Sequence, residues 1–331
     1  MKRLLVLLMS VFLLMGCEID ALNYYQEAIK KTDTIETAKS KLELKFNLDF
    51  SEEAIAEVPE LVDILSEITY LDDSKFDKTE EQIVSRQYIG TKAFGVDTIY
   101  YKDADKSFIK VPFSGKFLKF DAENMIEGLD MSVYEEAPIS ESTLQQIKVK
   151  WLALVNEEDV VNLGDEVIDT PEGEVKVKKM VVTFSNEQIH GFLDEVLDLV
   201  SKDSIFIEKI KSYPTYAFED GELNVIDGYE MDAKESIELI RLLLDDVIVD
   251  EFKFITYIDI DKYVIHHQYE VNLSFKGDLE TVIESLTMTS DYQLYDIHEK
   301  NVFETPVLTE NNTITITELL EELEFEIPIE E

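Results

Sequence analysis

A chain of 331 residues carries 72 acidic side chains against 30 basic ones, a formal charge of −42. Phosphate affinity rests on Lys and Arg, so this balance excludes a generic nucleic-acid binder. With 45% apolar residues, only 11 Gly and 7 Pro, the composition is that of a folded chain with a substantial core, and the single cysteine, Cys17, permits no intramolecular disulfide.

Lys2 and Arg3 open the chain, and Leu4 to Met15 is apolar but for Ser10, leading directly to Gly16 and Cys17. As a helix this stretch reaches roughly 18 Å, well short of the ~30 Å hydrocarbon core of a bilayer. It reads as a signal segment, not a span. The run Leu14-Met15-Gly16-Cys17 resembles a bacterial lipobox, in which the cysteine is lipidated and the chain is cut just before it. The resemblance implies a signal peptide over residues 1–16, cleavage between Gly16 and Cys17, and a lipidated N-terminus at residues 17–18. The protein would then sit on the extracytoplasmic face of the cell membrane, its membrane partner reached through that lipid. Met15 is larger than the usual residue at its place, and an ordinary secretory signal with an incidental cysteine is the alternative.

Residues 19–33 have helical spacing through Ile19, Leu22, Tyr25, Ala28 and Ile29. Leu42, Leu44, Phe46, Leu48 and Phe50 then alternate with polar neighbours, the period-two pattern of a strand with one wet face. Ser51 is placed to cap a helix running to Leu65 and kinked at Pro59, and the charged stretch Leu71 to Glu81 reads as a loop. Strands are expected over 83–89, 98–102, 107–111 and 116–120. Between Asp121 and Ile139 the pattern weakens. Ser140 or Ser142 opens a helix through Ile147 and Trp151, a hairpin turns at Pro171 and Gly173, and Ser185 caps the clearest helix of the chain. A helix over 234–246 precedes three long strands. On the second of these, Tyr263, Ile265, His267, Tyr269, Val271, Leu273 and Phe275 are expected on one face. Residues 318–331 pack seven glutamates around a few apolar residues and form an acidic tail.

The order of these features is similar to that of the LolA/LppX-type lipoproteins of the bacterial envelope, particularly Gram-positive surface members. The likeness rests on Thr98-Ile99-Tyr100-Tyr101-Lys102-Asp103 leading into Phe108-Ile109-Lys110-Val111-Pro112 and Gly115-Lys116-Phe117. It continues in Val161-Asn162-Leu163-Gly164-Asp165-Glu166, Ile258-Asp259, and Ser290-Asp291-Tyr292 running to Pro306. It implies an α+β fold over residues 19–317: a curved antiparallel half-barrel with helices packed on its concave side. In carriers of this family that shape shelters acyl chains. Leu42, Leu44, Phe46, Tyr263, Ile265, Tyr269 and Val271 become the candidates for a lipid-like ligand's cavity. The extra segment from Leu48 to Asp77 and the extreme charge depart from the family pattern.

No nucleophile elbow, phosphate-cradling loop, dinucleotide fingerprint or zinc-protease helix occurs, so no cofactor and no catalysis are expected. Adjacent on a strand, His266 and His267 point to opposite faces and cannot share a metal. Two readings follow: a lipid-anchored carrier of a hydrophobic or amphipathic ligand, or an interaction lipoprotein with a filled core whose acidic surface meets basic or cation-bridged partners.

Overall fold

A computed structural model describes residues 20–104, 106–119, 139–212, 216–219, 222–225, 233–277, 279–315 and 318–319. The lipobox-like run with Gly16 and Cys17, and nearly all of the acidic tail, lie outside the described residues.

The first half of the chain lays down β1 (Thr37–Phe50), β2 (Glu67–Asp77), β3 (Gln82–Thr91), β4 (Gly95–Asp103), β5 (Lys106–Lys110) and β6 (Phe117–Lys119) as successive antiparallel neighbours. The second half adds β7 (Val160–Thr170) and β8 (Gly173–Thr183), a small separate hairpin of β9 (Tyr216–Glu219) and β10 (Glu222–Val225), then β11 (Val247–Ile258), β12 (Val264–Phe275), β13 (Ile283–Tyr295) and β14 (Thr313–Ile314). Twelve of these strands form one sheet in the order β14-β6-β5-β4-β3-β2-β1-β13-β12-β11-β8-β7. The two halves are joined by β1 and β13, paired from Lys39 and Tyr295 to Phe50 and Ile283. Among the described strands, only β14 runs parallel to its neighbour, β6. The fold is α+β, a curved, unclosed half-barrel, in agreement with the alternation and with the resemblance.

The described helices are α1 (Ala21–Thr32), α2 (Glu52–Glu57), α3 (Pro59–Leu65), α4 (Glu141–Leu154), α5 (Asn186–Val200), α6 (Ser204–Ser212) and α7 (Ala233–Asp245). Three of them cover one face of the sheet. Tyr25 and Ala28 of α1, Trp151 and Leu154 of α4, and Ile189 and Leu193 of α5 pack against Met180, Val182, Phe254 and Ile258 of β8 and β11. Trp151 sits among Phe184, Phe192 and Phe254 with ring centroids 5.2, 5.3 and 5.5 Å away. Such pairs add about 0.5–1.5 kcal/mol each beyond their buried area. The opposite face is polar: His266 Nε2 lies 3.0 Å from Asp291, Gln268 donates to Asp291 at 2.9 Å, and Lys253 reaches Glu270 at 3.3 Å.

Three expectations change. The stretch read as a loop from Leu71 is mostly β2. Its polar residues sit on both faces and hide the alternation, because inward Asp72 accepts hydrogen bonds from Ser85 and, at 3.5 Å, from the Tyr70 hydroxyl. The helix after Ser51 is two helices: Pro59 lacks an N–H to continue the first and starts the second at its first turn. The third change concerns β12. Pairing jumps from Tyr257 with His266 to Ile258 with Val264, leaving Ile265 as an extra, unpaired residue. This bulge breaks the period of two. Ile265 and Tyr263 therefore leave the face occupied by His267, Tyr269 and Val271 and cluster with Val177, Tyr257 and Ile297.

Candidate functional site: a cavity under the helices

Between α1, α4 and α5 and the strands β11, β12 and β13 lies a cavity of about 580 Å³. This is within the ~300–1,000 Å³ typical of small-ligand sites. Its walls come from Tyr25 and Ile29, one helical turn apart on α1, from Ile147, Trp151 and Leu152 on α4, and from Phe192 on α5. The sheet supplies Phe252, Phe254, His267, Tyr269, Val271 and Met288. Asp33 and Lys148, both exposed, form the polar rim.

The helices are fixed at their ends by side-chain caps. Asp20 accepts from the Asn23 amide at 2.9 Å, which starts α1. The Ser140 hydroxyl accepts from the Thr143 amide at 3.2 Å, which starts α4. Ser185 and Gln188 form a reciprocal capping box on α5. Asp203 ties two helices together: it accepts from the Ser140 amide at 3.0 Å, from the Ser140 and Thr143 hydroxyls, and from the Phe206 amide at 3.1 Å. Burial opposes its ionisation, but these hydrogen bonds outweigh burial and hold the Asp203 carboxyl well below the usual carboxylate range.

Inside the rim, the polar groups of the cavity include the Tyr25 hydroxyl and one linked cluster. The Thr256 hydroxyl lies 2.9 Å from Nε2 of His267, and Nδ1 of the same ring lies 2.8 Å from the Tyr269 hydroxyl. Burial, reinforced by the neighbouring His266, pushes His267 down to about 4, so its ring is neutral near pH 7. Burial pushes Tyr269 up to about 12 and Tyr25 higher still, so both remain phenols. The cluster is thus uncharged, able to donate and accept hydrogen bonds, and poorly suited to nucleophilic or acid–base chemistry at neutral pH.

Of the residues expected to line a cavity, Tyr269 and Val271 do so. Leu42, Leu44 and Phe46 share their sheet face, paired through Tyr292, Ser290 and Met288 of β13, but lie beyond the cavity wall. Tyr263 and Ile265 are removed by the bulge. Tyr25, Trp151 and Phe192 join the lining from the helices, outside the strand alternation that defined the candidates. The signal was present in the four-residue spacings Tyr25–Ile29 and Ile147–Trp151.

A second groove, of about 550 Å³, lies on the polar face and includes Lys41, Glu43, Arg86 and Asp97. Arg86 and Asp97 already satisfy each other, with Nε 3.1 Å from Oδ1, so this is a solvated charged surface. Among the described residues no cluster of three or more His, Asp or Glu side chains is placed to hold a metal.

No protein-family profile matches the sequence, and neither does any curated protein. Several solved structures resemble the chain, two of them as follows. A DUF1329 family protein from Desulfovibrio piger is 8% identical over 85% of this chain and 95% of its own, with a TM-score of 0.21. Lipovitellin, described for its lipid–protein interactions, is 7% identical over 83% of this chain and 26% of its own, with a TM-score of 0.25. Likenesses this slight carry no functional weight; the cavity does.

Proposed function

We propose that this chain is a non-catalytic, lipid-anchored envelope protein of the LolA/LppX type that carries one hydrophobic or amphipathic ligand beneath its helices. The observation that supports the reading is the cavity between α1, α4, α5 and the sheet, walled by Trp151, Phe192, Phe254, Val271 and Met288. The cavity opens at its rim, so its apolar walls meet water when no ligand is bound, and covering them with an acyl chain removes that surface from water. The lipobox-like run supports a position on the outer face of the membrane, where such ligands are available.

The test is native mass spectrometry of the protein purified from its own host. Wild type should carry a bound acyl ligand, and Met288→Trp, which narrows the cavity at the sheet, should retain less of it yet remain folded by circular dichroism. Wild type with no ligand would overturn the carrier reading in favour of an interaction protein that uses its acidic surface.

A further inference from the structure

Tyr25 lines the cavity and is only 1% exposed, yet its hydroxyl has no hydrogen-bond partner among the described residues. No fully buried side-chain nitrogen or oxygen among them lacks a partner. The Tyr25 oxygen therefore keeps a little accessible surface, on a residue that lines the cavity. Tyr269, the end of the Thr256–His267–Tyr269 chain, lines the same cavity as Tyr25 and adds to the cost that burial sets on ionising Tyr25. A buried hydroxyl facing apolar space is a recognition element waiting for a partner, since an unmade hydrogen bond costs more than a made one returns.

Resting on the carrier reading, we propose that this polar floor selects the ligand's class: a single acyl or alkyl chain inserted with an uncharged hydroxyl or carbonyl group against Tyr25 and Tyr269. An ionised carboxylate would not fit there. Lys148 is the only cationic residue in the lining, and it is exposed at the rim. Leaving an anion uncompensated in an apolar site is strongly unfavourable.

Trp151 is the one tryptophan of the chain and lines the cavity, so its fluorescence reports occupancy directly. The experiment titrates the full chain, kept soluble in an amphipathic polymer with empty polymer as blank, with dodecanol and with dodecanoate near neutral pH. Dodecanol should bind at least about tenfold more tightly. Tyr25→Phe, which keeps the ring and removes only the hydroxyl, should weaken dodecanol about five- to tenfold, the worth of one hydrogen bond, and leave dodecanoate unchanged. Equal or tighter binding of dodecanoate, or an unchanged dodecanol affinity in Tyr25→Phe with its melting temperature retained, would overturn the headgroup inference while leaving the carrier reading standing. No Trp151 response to either probe would overturn both.

Discussion

The Thr256 hydroxyl meets His267 Nε2 at 2.9 Å across the β11–β12 ladder, with both side chains buried. This contact makes the fold sensitive to mild acid. The folded protein holds His267 at about 4, whereas the ordinary value is 6.5. Between those values the unfolded chain binds a proton that the native state refuses. The contribution of His267 is therefore complete above about pH 6.5 and is lost as pH falls toward about 4. Its size is on the order of a few kcal/mol. Melting temperature should drop across that window in wild type, and the drop should be smaller in His267→Gln. Parallel curves for the two proteins would show that the ring titrates normally.

Asp203 should be among the most sensitive polar positions. It accepts hydrogen bonds from both Ser140 and Phe206, joining the start of α4 to the start of α6. Asp203→Ala removes these acceptors together, at a cost of about 2–3 kcal/mol from lost caps and unsatisfied donors. Because the carboxyl stays ionised well below ordinary carboxylates, its contribution survives in acid beyond the point where that of His267 is gone. Urea unfolding at neutral pH measures the loss, and a change under ~0.5 kcal/mol would contradict the capping role.

The sheet was legible wherever one face is wet and the other dry. Leu42 to Phe50 declares its strand, and the caps Ser51, Ser140 and Ser185 declare their helices. β2 was not legible, because Asp72 and Ser74 face inward and find partners on other strands, Ser85 and Ser40. The Ile265 bulge was equally invisible: the residues on both sides are apolar or aromatic, and only pairing with β11 reveals the skipped position. The cavity itself depends on how α1 and α4 meet the sheet. That is a contact between segments more than 100 residues apart, which a local pattern cannot specify.

High salt should stabilise the protein. Several described cations are already paired, among them Arg241 with Asp194 at 3.0 Å and Lys150 with Glu195 at 2.8 Å, so the remaining acidic groups repel one another with few counter-charges to spare. Removal of Lys2 and Arg3 with residues 1–16 would take the formal charge from −42 to −44. At 1 M salt the screening length shortens to ~3 Å and this repulsion fades. A melting temperature that rises between low and high NaCl is the expected outcome, measured on the form lacking residues 1–17; a flat or falling trend would mean that local pairing already neutralises the field.

Anchoring is testable at Cys17. Cys17→Ala removes the one thiol of the chain, and with it the group that a lipid would join. Metabolic labelling with an acyl probe should mark wild type alone, and the variant should be released or remain an uncleaved precursor. Labelling that persists in the variant would remove the lipoprotein reading. Two acyl chains hold a protein stably on a bilayer, each buried CH₂ adding ~0.8 kcal/mol, so loss of the lipid should move most of the protein from the membrane to the soluble fraction.

Val271, Met288 and Phe46 form one row across β12, β13 and β1, since Val271 pairs with Met288 and Met288 with Phe46. The first two line the cavity and the third lies just past it. Phe46 is half-buried, so Phe46→Glu leaves its carboxylate within reach of water and should fold with little effect on bound ligand. Val271 is only 4% exposed. A carboxylate there is solvated only if water enters the cavity through the rim between Asp33 and Lys148, and an unsolvated ion costs several kcal/mol. With an open cavity, Val271→Glu should therefore fold, at a reduced melting temperature, and retain no ligand. Circular dichroism and native mass spectrometry on the two variants give the comparison. A Val271→Glu protein that cannot fold, beside a folded Phe46→Glu, would place Val271 in a closed core and shift the ligand-accessible space toward β1.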